Sequence, residues 1–300
     1  DFSSLLQREF KPKSDQAKEA VESAVKTLAE QALQYTTLIS KDVLKSIESM
    51  IAAIDRKLSE QINLIMHHPD FQELEGAWRG LNYLIFNTET DEMLKIRVMN
   101  ISKKELSKTL KKYKGVVWDQ SPLFKKIYEE EYGQFGGEPF GCLVGDYHFD
   151  HSPPDVELLR NMAQIAAASH TPFIAGACPT VMQMDSWQEL SNPRDLTKIF
   201  QTPEYGGWRG LRDSEDSRYI GLAMPRFLAR TPYGPKTDPV EEFDFEEEVE
   251  SGDHSKYCWA NSAYAMATKT TRAFKMYGWC TRIRGIESGG AVENLPTHVF

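Results

Sequence analysis

Two segments near the start of the chain place apolar residues at intervals of three and four, which is the spacing of one face of an α-helix. The first, residues 14 to about 38, predicts a helix that Ser14 or Asp15 can cap. The second begins at Ser40, and its apolar residues form a nearly strict heptad stripe: Leu44, Ile47, Ile51, Ile54, Leu58, Ile62 and Ile65. We therefore predict an N-terminal helical hairpin, within a unit spanning residues 1–68, that also offers apolar surface to another chain.

Beyond Pro69, patterns typical of helices and strands alternate. Helices are expected from Pro69, from the capping box Ser102–Glu105, from Ser121, and over Pro154–Ser169, Asp195–Phe200 and Tyr257–Tyr277. Short apolar runs predict strands at Leu94–Ile101, Gly141–Tyr147, Pro172–Ala177, Tyr219–Met224 and Trp279–Ile286. This alternation predicts an α/β domain over residues 69–300, with a mixed, mainly parallel sheet flanked by helices. Residues 201–218 and 229–255 lack periodicity, so we expect long loops there.

Charge is distributed unevenly along the chain. The 35 Lys and Arg against 44 Asp and Glu give a net charge of −9, which argues against non-specific binding to nucleic acid. Nine acidic residues lie between Asp238 and Asp253, whereas lysines crowd the segment 103–114. Both stretches are expected to be solvated. The alternative is that they make charge contacts between subunits, through Lys104, Lys108, Lys111, Glu246, Glu247 and Glu248.

The apolar runs and the cysteines exclude further classes of protein. No apolar run approaches the ~20 residues that a membrane span needs, and the N-terminus shows no secretion signal. Cys142, Cys178, Cys258 and Cys280 form no CxxC pair, so we expect neither a zinc site nor a disulfide framework. Their apolar neighbours predict buried free thiols in a reducing cytoplasm. The apolar, extended end at 296–300 predicts that the polypeptide continues.

The strongest candidate for catalytic chemistry is the segment Gly145–His151. If the strand continues, Asp146, His148 and Asp150 share one face and lie at the carboxyl end of a strand, where open α/β sheets bind ligands. Carboxylates and an imidazole suit a divalent metal, which makes a metal-dependent hydrolase the alternative function. However, the sequence contains no second ligand cluster and no nucleotide-binding motif, so we expect no catalytic residue, metal or cofactor.

Several long motifs are similar to one family, the large sheath subunit of the bacterial type VI secretion system (TssC/VipB, EvpB). They are Phe71–Leu81, Ser121–Gly141, Leu211–Leu222, Pro225–Gly234 and Gly278–Gly285, and the resemblance runs from about Leu44 to Phe300. Members of that family continue well beyond the position of Phe300. Roles carried by that further region, including much of the contact with the inner tube, are therefore not assigned to residues here.

The resemblance implies a fold like that of contractile phage-tail sheaths, and a structural role without catalysis. It implies pairing with the small sheath subunit (TssB/VipA) and stacking with other copies of the chain around a tube of Hcp on a baseplate. It also implies recycling of the contracted sheath by the ClpV ATPase. On this basis the heptad stripe Leu44, Ile47, Ile51, Ile54, Leu58 and Ile62 is the expected interface with the small subunit. A soluble adaptor that binds one partner without polymerising is a further alternative.

Overall fold

A computed structural model of the chain describes residues 15–16, 19–21, 23–24, 26–27, 43–191, 196–249 and 253–298. They form two compact units: the first contains the described residues up to Gln72, Thr231–Tyr257 and His298, and the second contains Glu73–Arg230 and Cys258–Thr297. The expected boundary at residue 68 falls near Gln72, but the first unit also includes the acidic segment. The predicted helix over residues 14–38 lies largely outside the described residues, and those described between 15 and 27 are helical.

Residues of the first unit form one long helix and an extended acidic segment. Helix α1 spans Val43–Met66, close to the range that its heptad stripe predicts. Residues 243–249 alternate in burial as a strand does, with Phe245 and Glu247 buried and Asp244, Glu246 and Glu248 exposed. The side chain of Asn63 holds this segment: its Nδ2 donates to the Glu246 carbonyl at 3.2 Å, and its Oδ1 accepts from the Glu248 N–H at 2.9 Å. The expectation of a wholly solvated loop is therefore wrong for this stretch.

Helix α2 begins at Pro69, a residue that favours the first position of a helix. The helices are α2 (Pro69–Phe86), α3 (Lys103–Lys112), α4 (Pro122–Phe124), α5 (Pro153–Ala168), α6 (Leu196–Ile199), α7 (Gly206–Arg212) and α8 (Ser262–Tyr277). The capping box predicted for α3 is present, and Gly278 ends α8 in a left-handed conformation with φ 75°. Within the described residues, no helix is long and apolar enough to cross a membrane.

Three parallel strands form the main sheet, in the order β1 (Leu143–Phe149), β2 (Phe173–Ala177) and β3 (Ile220–Ala223). A short antiparallel pair, β4 (Phe227–Leu228) with β5 (Trp259–Ala260), lies apart from it. All five residues of β2 are buried. Phe173, Ala175 and Ala177 pack into the core that includes α5, whereas Gly176 on the other face lies against Asn261 at the start of α8. The expected parallel sheet flanked by helices is therefore confirmed.

Four local expectations differ from the structure. Neither Leu94–Ile101 nor Trp279–Ile286 forms a strand; the second contains Arg282 with φ 55° and Gly285 with φ 73°, which bend the chain. Residues 201–218 are not a loop, because they form α7 and short 3₁₀ turns with Trp208 and Leu211 buried. Helix α8 begins at Ser262 instead of Tyr257, because Asn261 caps it and Trp259–Ala260 pair with β4.

Two glycines allow α2 to approach its neighbours closely. A Cβ atom on Gly76 would lie 2.4 Å from the carbonyl oxygen of Trp259, and one on Gly80 would lie 2.4 Å from the ring of Tyr264. Both distances are far below ordinary van der Waals contact, so only glycine fits at these positions. Leu84 lies on the same face, one turn further along, and is buried with Tyr264. This face therefore fixes α2 against β5 and α8.

Candidate assembly surfaces

The apolar stripe on α1 is only partly covered by its own unit. Ile51 is 53% exposed, while Ile54, Leu58 and Ile62 are half-buried. The side chains of Leu44 and Ile47 lie outside the described residues. A half-covered heptad stripe retains apolar area that a second helix can bury.

The acidic segment 243–249 divides its charges between two faces. Glu246 and Glu248 are exposed, but the Glu247 side chain is only 1% exposed. The Glu247 carboxylate accepts a hydrogen bond from the Tyr233 N–H at 2.9 Å and lies 3.4 Å from Nε2 of His67. In this conformation the Glu247 charge is therefore used inside the first unit, and its role in contacts between subunits stays a prediction.

The basic helix α3 also divides its charges. Lys104 and Lys108 are exposed, whereas Lys111 lies 3.6 Å from the Glu157 carboxylate. Lys103 is engaged fully: it donates to the His148 carbonyl at 2.6 Å and pairs with Asp155 at 2.7 Å. Lys103 thereby ties the start of α3 to the end of β1. Of the three lysines predicted to make contacts between subunits, Lys104 and Lys108 are exposed and no ion pair of theirs is seen in the described part of the chain.

Asp146, His148 and Asp150 do not converge on one site. Asp146 lies beside Tyr264, and burial together with this carboxylate raises the pKa of the Tyr264 hydroxyl. Asp150 turns back, and its carboxylate accepts from the Ser152 N–H at 2.8 Å. Burial lowers the pKa of His148, and the cationic Arg226 and Lys103 add to this effect, while Asp146 opposes it. Within the described residues no three His, Cys, Asp or Glu side chains are grouped to hold a metal. The three residues on which the hydrolase alternative rests therefore form no metal site in the described part of the chain.

The cysteines differ in their surroundings, and the expectation of four buried thiols holds only in part. All four are free: Cys258 is buried, Cys142 and Cys178 are half-buried, and Cys280 is exposed, which corrects the prediction for that residue. Burial, with a smaller contribution from the nearby Cys280, raises the pKa of Cys142 to about 12. Burial also raises the pKa of Cys258 to about 12, and the Glu75 carboxylate adds to it. Thiols of this kind are poor nucleophiles.

Two features of α2 were missed by sequence reasoning. The face opposite Gly76 and Gly80 is apolar yet exposed, with Trp78 66% accessible and Leu74 and Ile85 also exposed. The sequence did contain a signal for this exposed face: apolar residues at 74, 78, 81 and 85 have helical spacing and form a stripe separate from the face that carries the two glycines. The second feature, an ion cluster, had no such signal because Arg230 lies 155 residues from Glu75 in sequence.

That ion cluster joins α2 to the residues following β4. Arg230 donates through Nε and Nη2 to the two oxygens of Glu75, at 2.7 and 3.3 Å, and its side chain is only 6% exposed. Arg79 donates to the same carboxylate at 2.7 Å. Burial alone would raise the pKa of Glu75, but the hydrogen bonds and charges of Arg230 and Arg79 outweigh it, so this pKa lies below its usual value. The cluster therefore stabilises the packing of α2 against the residues that follow β4.

The surfaces described so far are apolar helical faces and separated charges, which suit assembly with other proteins more than catalysis. Residues 48–300 match the VipB family, described as EvpB/VC_A0108, tail sheath N-terminal domain, and the chain belongs to this family. Over all its 300 residues it is 74% identical to the type VI secretion system sheath protein TssC1 of Pseudomonas aeruginosa. The chain spans 60% of that relative's length. Both descriptions name a sheath protein, and the family assignment made from the motifs is confirmed.

Proposed function

We propose that this chain is part of a structural subunit of the type VI secretion contractile sheath in the bacterial cytoplasm. The observation that carries the proposal is the 74% identity to a sheath protein across the entire chain. In this role the subunit pairs with the small sheath subunit (TssB/VipA) and polymerises with its own copies into a helical tubule around the Hcp tube. The tubule contracts from a baseplate to expel tube and spike, and ClpV recycles it. Nucleic acid and membrane have no part in this role.

The tubule itself is the direct test. The polypeptide at the full length of its relative is co-expressed with the small sheath subunit, and the purified material is viewed by negative-stain electron microscopy. Hollow tubules with cogwheel-shaped ends are expected. A discrete particle containing both chains would favour the non-polymerising adaptor and contradict the sheath proposal.

Within this role, the N-terminal helical unit supplies the interface with the small subunit. Helix α1 supports this role, because its heptad stripe is half-covered and its remaining surface is charged. Ile51 is the best residue to change, because at 53% exposure an Asp there costs the isolated chain little. Ile51→Asp, alone and combined with Ile54→Asp, is expected to abolish co-purification of the small subunit. Arg56→Asp, at an exposed position on the same helix, is the matched control. An unchanged yield of the complex would contradict this interface.

Charge contacts between subunits are a second, separate part of the proposal. Lys104 and Lys108 lie one helical turn apart on the exposed side of α3, and Glu246 and Glu248 lie on the exposed side of the acidic segment. Contacts between exposed charges are individually weak, about 0–1 kcal/mol, and are screened by salt, so they break and form again readily. The double variant Glu246→Gln/Glu248→Gln is expected to shift the balance of extended and contracted tubules. Tubules of unchanged length and state would exclude this role.

A further inference from the structure

The segment Leu94–Asn100 has the pattern of a strand but forms no strand in the structure. It runs from Leu94 to Ser102 without a helix, turn or bend. Ile96 packs against the cluster of Leu84, Tyr264 and Ala267, whereas Lys95 and Arg97 on either side of it are exposed. Alternation of this kind is the geometry of a strand with one buried face.

Side chains hold this segment in place on both faces. Lys95 pairs with Glu138, and Arg97 pairs with Glu131 and, at 2.6 Å, with Glu138. The Arg97 guanidinium also lies over the ring of Phe140, 5.5 Å from its centroid. At the far end of the segment, the Tyr147 hydroxyl donates to the Ile101 carbonyl at 2.7 Å. The segment is thus anchored beside β1, at several points.

Its backbone, in contrast, is unpaired. In the part of the chain that the structure describes, the peptide N–H and C=O groups of Lys95–Asn100 make no hydrogen bond with protein; the nearest backbone bond runs from the Asp91 N–H to the Leu94 carbonyl at 3.0 Å. Among the strands that the structure describes, β1 pairs only with β2. Val98 lies on the same side as Ile96 by alternation and yet is 68% exposed. A strand-like edge with unpaired peptide groups and an uncovered apolar residue is a template for a further strand.

We propose that residues 95–100 form an acceptor edge for a β-strand from the additional polypeptide that longer relatives possess. Two observations favour this occupant. The unpaired groups are those of the backbone, and an extended segment matches their spacing, whereas a helix or a small ligand does not. The chain spans only 60% of its sheath-protein relative, so that protein has a further 40% of its length to place. Strand addition within one polypeptide needs no second subunit, and it is independent of the function proposed above.

Hydrogen exchange measured by mass spectrometry tests the edge directly. The 300-residue chain is compared with the same chain within a polypeptide of the relative's full length, purified without the small subunit and diluted until it is monomeric. Amides of residues 95–100 are expected to exchange at least about tenfold more slowly in the long polypeptide. Three outcomes would each overturn the proposal: protection already present in the short chain, protection only after assembly with other subunits, or equal exchange in both lengths.

A pair of proline variants tests the direction of the edge. Successive peptide N–H groups of a strand point to opposite edges, so only one of Val98→Pro and Met99→Pro removes a donor to the incoming strand. In the short chain both variants are expected to leave the thermal midpoint unchanged, since neither N–H is bonded there. In the long polypeptide one variant is expected to abolish the protection of residues 95–100 and the other to retain it. Retention of protection by both variants would contradict strand addition.

Discussion

The tetrapeptide Trp-Arg-Gly-Leu occurs twice, at 78–81 in α2 and at 208–211 in α7, and replacing its glycine by alanine is expected to have opposite effects. A Cβ on Gly80 would lie 2.4 and 2.5 Å from two ring carbons of Tyr264. A Cβ on Gly210 would meet nothing nearer than Nη2 of Arg160, at 3.8 Å. Since both glycines are helical, the intrinsic gain from Gly→Ala is similar at the two sites, at most about 1 kcal/mol.

The difference therefore comes from packing. Carbon atoms in contact lie about 3.5 Å apart, so the new methyl group on Gly80 must displace the Tyr264 ring or α2 by roughly 1 Å. Inserting a methyl group into a packed core costs about 1–3 kcal/mol, which exceeds the helical gain. Gly80→Ala is expected to lower the free energy of unfolding by about 1–2 kcal/mol. Gly210→Ala is expected to raise it by up to about 1 kcal/mol.

Urea unfolding, followed by far-ultraviolet circular dichroism and by tryptophan fluorescence, measures both variants against the parent chain. The slope of the transition must stay constant for the midpoints to be compared. Tyr264→Leu removes the ring that the methyl group would meet. The double variant Gly80→Ala/Tyr264→Leu should therefore lose less free energy of unfolding than the two single variants lose in sum. Equal effects at Gly80 and Gly210, or strict additivity in the double variant, would refute the close approach of α2 to α8.

Three further predictions concern the second unit. Glu75→Gln leaves the Arg230 charge buried without its partner, so it is expected to cost about 3 kcal/mol at pH 7. Because folding lowers the pKa of Glu75, its charge stabilises the fold above about pH 4.5, and this stabilisation disappears as the pH falls through the folded-state pKa. The free energies of unfolding of variant and parent, measured from pH 7 to pH 3, should therefore converge. A constant difference between them would exclude the charge as the cause. A maleimide reagent at pH 8 should label Cys280 first, with Cys142 and Cys258 protected until the chain unfolds; mass spectrometry that found Cys142 labelled equally fast would contradict this order. Ser102→Ala removes the cap of α3 and should cost about 1 kcal/mol in thermal unfolding, whereas Ser107→Ala, inside the same helix, should cost nothing.

Much of the fold could be predicted wherever the determining interactions are local. The capping box of α3 is one case, because Ser102 and Glu105 satisfy each other's backbone groups within a single turn. Strand β2 is another, since a short apolar run between Pro172 and Cys178 suits a fully buried strand. The strand predicted at Trp279–Ile286 is wrong. Its apolar residues have the spacing of a strand, but positive φ angles at Arg282 and Gly285 break the extended backbone, and such angles leave no periodic signal in the sequence.

For the candidate surfaces, the sequence predicted the helices and the charged residues, but not which of their side chains are exposed and which are buried. The stripe on α1 and the lysines of α3 lie on the helices that their spacing predicted, and their roles in assembly stay predictions. Glu247 could not be distinguished by sequence from Glu246 and Glu248. Its burial depends on Asn63 and Tyr233, which hold the acidic segment in register so that every second side chain points inward.

By itself, the sequence determined the family, through long motifs, and the class of fold, through the alternation of helical and strand-like periods. Only the tertiary structure decided which residue of each Trp-Arg-Gly-Leu copy is buried. Trp208 is 8% exposed and Gly210 is exposed, whereas Trp78 is 66% exposed and Gly80 is buried. The local sequence is the same in both places, and both are helical. Burial is set by what packs against each face, α5 in one case and Tyr264 in the other, and these neighbours lie far away along the chain.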